Sequence, residues 1–425
     1  MSESTRRGFL AAGAVGTLAA APATANAAGG FGGQPRDGRR GSAAGPEPVK
    51  IPTMLADTEA KPGPAFTPLP PEERLGFAVV GLGELALHQV LPAFGRAKRC
   101  RLAALVSGDA DKARAVASQY GIGRENLYDY KAYDRLADDP AVDVVYIILP
   151  NSMHLEFTSR AAAAGKHVLC EKPMATSAAD CEAMIAACEK AKKQLMIAYR
   201  CQYEPHHREA IRLARSGELG PLRLIEATNG QNQGPPGQWR HRKALAGGGS
   251  LPDVGIYCLN AARYITGEEP SEVSAQVLTD SSDPRFAEVE DRIAFQLKFP
   301  SGVLADCRSY YSAHESRRCR VMAERGWIDM DPAFSYQGLR MKVARVERGA
   351  EHVSEVRLPS PDQFAAEMDH MAERAARGER PHTPGEEGLQ DQRIIEAIYR
   401  AAREGRPVPL AAAPGRDATR GPAPG

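Results

Sequence analysis

Two short stretches carry side chains whose types and spacing suit proton transfer at a hydroxyl. In CEKPMA (170–175) a lysine, Lys172, follows directly on the strand-like run His167–Cys170. Pro173 has a fixed φ and disfavours helical geometry at the residue before it. The Lys172 ammonium can therefore lie in a crevice and hydrogen-bond a substrate hydroxyl. Glu171 either holds that lysine or contacts a bound cofactor. In AGGGSLPDVGIY (246–257), Asp253 and Tyr257 stand four apart, on one face of a helix that begins near Pro252. A phenol beside an ammonium is a proton acceptor, since the cation favours phenolate. Asp253 would orient the substrate or the lysine. Alone, the first stretch also fits a surface Glu–Lys pair and the second a core tyrosine; together they describe acid–base chemistry on an alcohol.

A third stretch supplies the cofactor that such chemistry needs. Phe77–Val80 is apolar and β-branched and runs into Gly81-Leu82-Gly83-Glu84-Leu85-Ala86, where a helical pattern starts. A strand that ends in glycines and opens a helix cradles a pyrophosphate. The first Gly allows the turn, the second lets phosphate approach, and Ala86 stands for the third small residue. The next strand, Leu102–Val106, ends in Ser107-Gly108, with Lys112 one turn on. A hydroxyl and an ammonium, with no carboxylate at the strand tip, suit the 2′-phosphate of NADP better than the ribose of NAD, although Asp109 and Asp111 stand nearby.

From residue 77 strand-like and helical runs alternate. The strands are Phe77–Val80, Leu102–Val106, Val144–Leu149, His167–Cys170 and Leu195–Ala198. The intervening helices are Leu85–Ala97, Asp111–Tyr120, Tyr133–Asp138, His154–Ala164 and Ala178–Lys192. This predicts an α/β Rossmann domain with a doubly wound parallel sheet whose strand ends converge on one crevice. After Leu219 strands dominate: Leu222–Ala227, Glu272–Val277, Asp291–Phe299, Gly302–Tyr310, Cys319–Met322 and Gly326–Met330. A helix at Pro252–Tyr264 and two more at Asp362–Arg377 and Glu386–Glu404 complete the pattern. This predicts an α+β C-terminal domain with a large, mainly antiparallel, open-faced sheet.

The chain has 425 residues, 54 basic and 53 acidic, so a net charge of +1 gives no reason to expect nucleic acid as a partner. No run after the N-terminus is long and apolar enough to span a bilayer, and no metal site is expected. Ser4-Thr5-Arg6-Arg7-Gly8-Phe9-Leu10, an Ala/Gly-rich stretch and Ala25-Asn26-Ala27 have the order of a twin-arginine export signal and its cleavage site, which predicts a periplasmic protein. Eight cysteines without a CxxC pair are expected to be buried thiols. The expected organisation is a leader over 1–27, a Pro/Gly-rich arm over 28–74, the NADP-binding domain over 75–200, the substrate and oligomerisation domain over 201–410, and a disordered tail over 411–425.

The motifs GLGELA (81–86), ILPNSMH (148–154 with Ile147 before them), CEKPMA, YRCQYEP (199–205), AGGGSLPDVGIY and PGEEGLQD (384–391) occur in an order that resembles the Gfo/Idh/MocA oxidoreductase family, over roughly residues 61 to 410. Tyr257, where many members have His, together with the leader and arm, is similar to its periplasmic glucose–fructose oxidoreductase branch. That resemblance implies a tightly bound NADP, oxidation of an aldose at C1 to a lactone, reduction of a second sugar by ping-pong chemistry, and a homo-oligomer (dimer or tetramer). It implies Lys172 and Tyr257 as catalytic, with Asp253 in support. It implies cofactor contacts from Gly81, Leu82, Gly83, Glu84, Leu85, Ala86, Ser107, Lys112, Tyr130, Leu149, Pro150, Asn151, His154, Glu171, Lys172, Arg200, Trp239 and Arg240. The sugar pocket would be lined by Tyr203, Trp239, Arg240, Asp253 and Tyr257. In the arm, Thr67 or Lys61 stands where the resemblance implies an Arg that clasps the adenine side. Two alternatives stay open: a sugar or inositol dehydrogenase with exchangeable NAD(P), and a non-catalytic nucleotide- or sugar-binding protein on the same fold.

Overall fold

Six strands form the first sheet: β1 (Leu75–Val80), β2 (Cys100–Val106), β3 (Leu127–Tyr128), β4 (Val144–Ile147), β5 (His167–Glu171) and β6 (Leu195–Ala198). The structure, a computed structural model, describes residues 68–359 and 361–424. The leader and nearly all of the arm, Lys61 and Thr67 included, lie outside the described residues. The strands run parallel in the order 3-2-1-4-5-6, the doubly wound order that reverses direction between β1 and β4. Every residue of β1 is buried, as a strand covered on both faces requires. Helices α1 (Leu91–Ala93), α2 (Ala110–Tyr120), α3 (His154–Ala163) and α4 (Ala178–Lys190) connect them. Pro92 lies in the helical run after β1, which opens with a π-type turn over Ala86–Val90.

The chain then forms α5 (Pro205–Ser216), a helix absent from the sequence reading although Pro205 at its first turn and Gly217 at φ +79° bracket it. A nine-stranded sheet follows: β7 (Leu222–Gly230), β8 (Glu272–Leu278), β9 (Arg292–Lys298), β10 (Leu304–Tyr310), β11 (Ser316–Ala323), β12 (Gly326–Met330), β13 (Met341–Glu347), β14 (Ala350–Val356) and β15 (Val408–Pro409). Its order is 14-13-12-11-7-10-9-8-15, antiparallel except where β7 and β10 pair parallel. Alternate residues of β9 are buried and exposed, so one face is core and the other open. Between β7 and β8 lie α6 (Lys243–Ala246) and α7 (Ile256–Thr266), the latter preceded by a π-type turn over Leu251–Gly255.

Two expectations about organisation are corrected. Helix α8 (Gln363–Arg377) belongs to the first sheet, not the second domain: Phe364, Met368 and Met371 are buried in one core with Phe77, Leu105 and Tyr146. The boundary at residue 200 therefore does not hold for this helix, whose apolar face completes one side of the parallel sheet. The last helix is α9 (Gly385–Glu404). Beyond it the tail is docked, not disordered. Arg420 is buried and its guanidinium donates to Glu387 Oε1 at 2.9 and 3.1 Å, while Asp417 pairs with Arg215 at 2.7 Å. Glu387 also meets the fully buried Arg263 at 2.8 Å, so the tail supplies the second cation of a buried ionic cluster. All eight cysteines are free and buried. Among the described residues no helix is long and apolar enough to cross a membrane.

Candidate active site

A cleft of about 1000 Å³ runs from the turn after β1 to the ends of β7 and β11. Gly81 is at φ +93°, and a Cβ there would stand 2.2 Å from the Ile148 carbonyl oxygen, so only glycine fits. Gly83 differs: its chain neighbours aside, no atom of the described residues lies within 4 Å of where its Cβ would be. That open backbone, with the Gly83 carbonyl accepting from Leu87 N as the helix begins, fits a pyrophosphate. Ala86 is fully buried beneath the turn and does not line the cleft, so it serves packing and makes no direct contact.

At the tip of β2 each carboxylate has a partner in α2, and Asp109 also lines the cleft. Asp109 caps α2 by accepting from Lys112 N at 3.0 Å, and Asp111 pairs with Arg114. Ser107 and Lys112 remain on the cleft wall, with Gly108 pressed against the Tyr130 ring. A 2′-phosphate fits this arrangement of hydroxyl, ammonium and aromatic face. Leu149, Pro150 and Asn151 also line the cleft, as do Leu82, Glu84 and Leu85. Asn151 donates to the Ala246 carbonyl at 2.8 Å and so ties the β4 loop to the end of α6. His154 is a correction: it is fully buried behind the wall, its ring nitrogens 2.9 Å from Leu149 O and 3.0 Å from Pro173 O. It positions the loops after β4 and β5 and does not reach the cleft.

The chemistry-bearing groups meet where β5 ends. Lys172 Nζ donates to the Asp253 carbonyl oxygen at 2.7 Å and to Asp253 Oδ1 at 3.3 Å. Asp253 Oδ2 accepts from Tyr311 Oη at 2.8 Å and from Arg240 Nε at 3.2 Å. Burial alone would raise the Asp253 carboxyl, but Arg240 and Lys172 prevail and hold it at about 2. Lys172 Nζ lies 4.8 Å from the centroid of the Tyr257 ring, over its face, and the Arg200 guanidinium lies 4.9 Å from the same ring. Burial pushes the Tyr257 hydroxyl above its usual range and outweighs the downward pull of Arg200. The expectation that the cation would favour phenolate is therefore reversed: the desolvation of a buried oxyanion is the larger effect.

Arg200 is held by Gln363 Oε1 at 2.6 Å and by the carbonyls of Phe334 and Ser335. Trp239 lines the cleft with the Arg240 guanidinium 4.5 Å from its ring. Tyr203 is the second correction. Its hydroxyl is 3.0 Å from Thr383 Oγ1, its ring packs on His370 and His382, and it lies in the core and not in the cleft. Sequence reasoning missed Tyr311, which bonds Asp253, and the wall formed by Phe334, Tyr336, Phe364, His314 and Arg317. The polar run Asn229–Gln238 was the available signal for the far wall; nothing in the sequence pointed to Tyr311 or Tyr336.

A model for the oxidoreductase family with an NAD-binding Rossmann fold matches residues 75–199, and the Gfo/Idh/MocA C-terminal domain matches residues 207–329. The chain belongs to the Gfo/Idh/MocA oxidoreductase family. An NADP-dependent D-xylose 1-dehydrogenase of Haloarcula marismortui is 33% identical over 339 residues, covering 77% of this chain and 90% of its own. The crystal structure of an aldose-aldose oxidoreductase from Caulobacter crescentus, complexed with glycerol, is 53% identical with a TM-score of 0.76, covering 79% of this chain and all of its own. A 3-ketoreductase from Actinomadura kijaniata in complex with NADP and TDP-benzene is 25% identical with a TM-score of 0.69, over 77% of this chain and 98% of its own.

Proposed function

We propose that this chain is a periplasmic, NADP-retaining sugar oxidoreductase that oxidises an aldose at C1 to its lactone and reduces a second sugar before the cofactor leaves. The observation that carries the reading is the convergence of Lys172, Asp253 and Tyr257 on one cleft whose opposite end is the Gly81–Gly83 turn. Bound NADP would supply the hydride acceptor and donor. The names of the aldose-aldose oxidoreductase and the NADP-dependent xylose dehydrogenase favour aldoses and NADP.

Each side chain has a derived task. Asp253 fixes Lys172 through two of its three N–H donors, and the lysine presents the remaining one to the C1 oxygen. Tyr257, a neutral phenol in the resting site, is set to give a proton to the alkoxide formed when a sugar carbonyl is reduced. In the oxidative direction the phenol must first lose that proton, and the flanking Lys172 and Arg200 cations lower the cost of the anion. Arg240 and Trp239 flank the sugar end of the cleft.

Retention and export rest on the leader at Arg6-Arg7 and on chemistry. A folded protein exported with cofactor in place cannot exchange it for fresh NADP outside the cytoplasm, so the hydride must be returned to a second carbonyl. We further propose a dimer or tetramer formed through the open face of the nine-stranded sheet. A specific observation favours a second reading, a dehydrogenase with exchangeable cofactor: the xylose dehydrogenase relative carries that activity in its name. Equilibrium dialysis of the purified protein separates the two. Cofactor that stays with the protein supports retention, and cofactor that equilibrates freely supports the dehydrogenase.

A further inference from the structure

Tyr146, in β4, places its hydroxyl between two carboxyl groups. Its Oη lies 2.8 Å from Glu171 Oε1 and 3.1 Å from Glu367 Oε1. Tyr146 and Glu367 are wholly buried and Glu171 is 7% exposed. A phenol has one hydrogen to give. It can donate to one carboxylate, so the second contact requires a proton on one of the two carboxyl groups. The remaining oxygens decide which. Glu171 Oε2 accepts from Lys172 N at 3.2 Å; burial pushes its carboxyl up, and the Lys172 cation, the Tyr146 hydrogen bond and the Arg200 cation pull back toward the charged form. Glu367 Oε2 is buried and has no hydrogen-bond partner among the described residues. That environment is costly for a carboxylate oxygen and tolerable for the carbonyl of a neutral acid.

We infer that Glu367 is a neutral carboxylic acid that donates to Tyr146, that Tyr146 donates to Glu171, and that this relay holds the Glu171 carboxylate and the Lys172 backbone at the floor of the cleft. Glu367 is thus a positioning residue supplied by α8, the helix that returns to the first sheet. The titratable and charged groups facing it are Glu171, Tyr146, Arg200, Cys201 and Tyr203. Arg200 is the cation among them; its two Nη atoms serve Gln363 and the carbonyls of Phe334 and Ser335, and its buried Nε has no hydrogen-bond partner among the described residues. Burial first, and the charge of Glu171 second, push the Glu367 carboxyl well above its usual range.

The test uses Glu367→Gln, whose amide offers an N–H where the acid offers an O–H. A carboxyl raised by folding must take up a proton as the chain folds, so the wild-type protein loses stability as pH rises above the ordinary Glu value, whereas Gln does not titrate. The thermal stability of E367Q relative to wild type therefore improves steadily from about pH 5 to about pH 8. An E367Q chain that fails to fold, or a stability gap that is the same at both ends of that range, overturns the assignment. This readout needs no substrate, so it stands or falls apart from the sugar reading on which the kinetic readout rests. Glu367→Met, which offers Tyr146 no donor, should lower kcat on the order of tenfold with a smaller change in KM, while E367Q stays within about twofold of wild type. Wild-type kcat in E367M would remove the positioning role.

Discussion

Lys172 and Asp253, 81 positions apart in the chain, are joined by two hydrogen bonds from one ammonium, one to the Asp253 side chain and one to its backbone carbonyl. The lysine therefore fixes the loop after β5 against the first turn before α7. Replacing Asp253 by Asn removes the charge that Lys172 and Arg240 share. A carboxyl held at about 2 instead of its ordinary value is worth about 2 kcal/mol. Its folded value is depressed, so that stability is present above the unfolded value and is lost as pH falls from about 4 to about 2. Thermal unfolding of Asp253→Asn should show this deficit at neutral pH and none at the acid end. A deficit that does not change with pH would mean the carboxylate contributes through shape alone.

Tyr257→Phe leaves the ring contacts with Lys172 and Arg200 and removes only the hydroxyl. Loss of a positioned acid–base group costs roughly 10² to 10⁴ in kcat, with little change in the stability of the fold. Because burial raises the Tyr257 hydroxyl, aldose oxidation by the wild-type protein should accelerate as pH rises on the alkaline side, and Y257F should show no such rise. A pH–rate profile of single-turnover oxidation reads both.

Lys112 is exposed on the cleft wall with its side chain free of the capping bond that its backbone makes. Lys112→Ala should weaken NADP binding by about tenfold, the size of one charge-assisted hydrogen bond, and leave NAD binding nearly unchanged. Equal losses for the two cofactors, measured by fluorescence titration, would place the 2′-phosphate elsewhere.

The parallel sheet and the crevice were legible because β1, β2, β4, β5 and β6 are short apolar runs, ended by glycine, proline, a charged pair or, after β6, Tyr199-Arg200. The β13–β14 hairpin was not. Its turn is Arg348-Gly349, both at positive φ, and an arginine hides a turn that Asn-Gly or Asp-Gly would announce. β14 is exposed along nearly its whole length and β13 buries only Met341, Val343 and Ala344, so no regular apolar alternation marks the pair. Tyr203 was assigned to the pocket by the family resemblance alone. The intervening 3-10 turn over Arg200–Tyr203 sends the arginine to the cleft and the tyrosine into the core. Asp253 and Tyr257 were found because a spacing of four survives both an α-helical and a π-type start. Tyr311 was not, since a single tyrosine after a strand carries no periodic signal.

The docked tail gives a stability prediction. Arg420→Ala leaves Arg263 as the one remaining cation on Glu387 among the described residues; Oε1 keeps Gln202 and Asn260 as donors but loses the guanidinium it has at 2.9 Å. Removing one partner of a buried pair costs about 3–5 kcal/mol, so R420A, or a chain ending at residue 410, should melt well below wild type. An unchanged Tm would show that the tail docks without contributing.

The central claim is retention of NADP between two half-reactions, and the protein as purified tests it without added cofactor. Mixed with an excess of an aldose, it should develop reduced-nicotinamide fluorescence equivalent to one cofactor per chain and then stop, and a second sugar should discharge that signal with reduction of its carbonyl. A protein that shows no nicotinamide signal until NADP is added, and that then turns over while releasing NADPH to solution, would contradict the account.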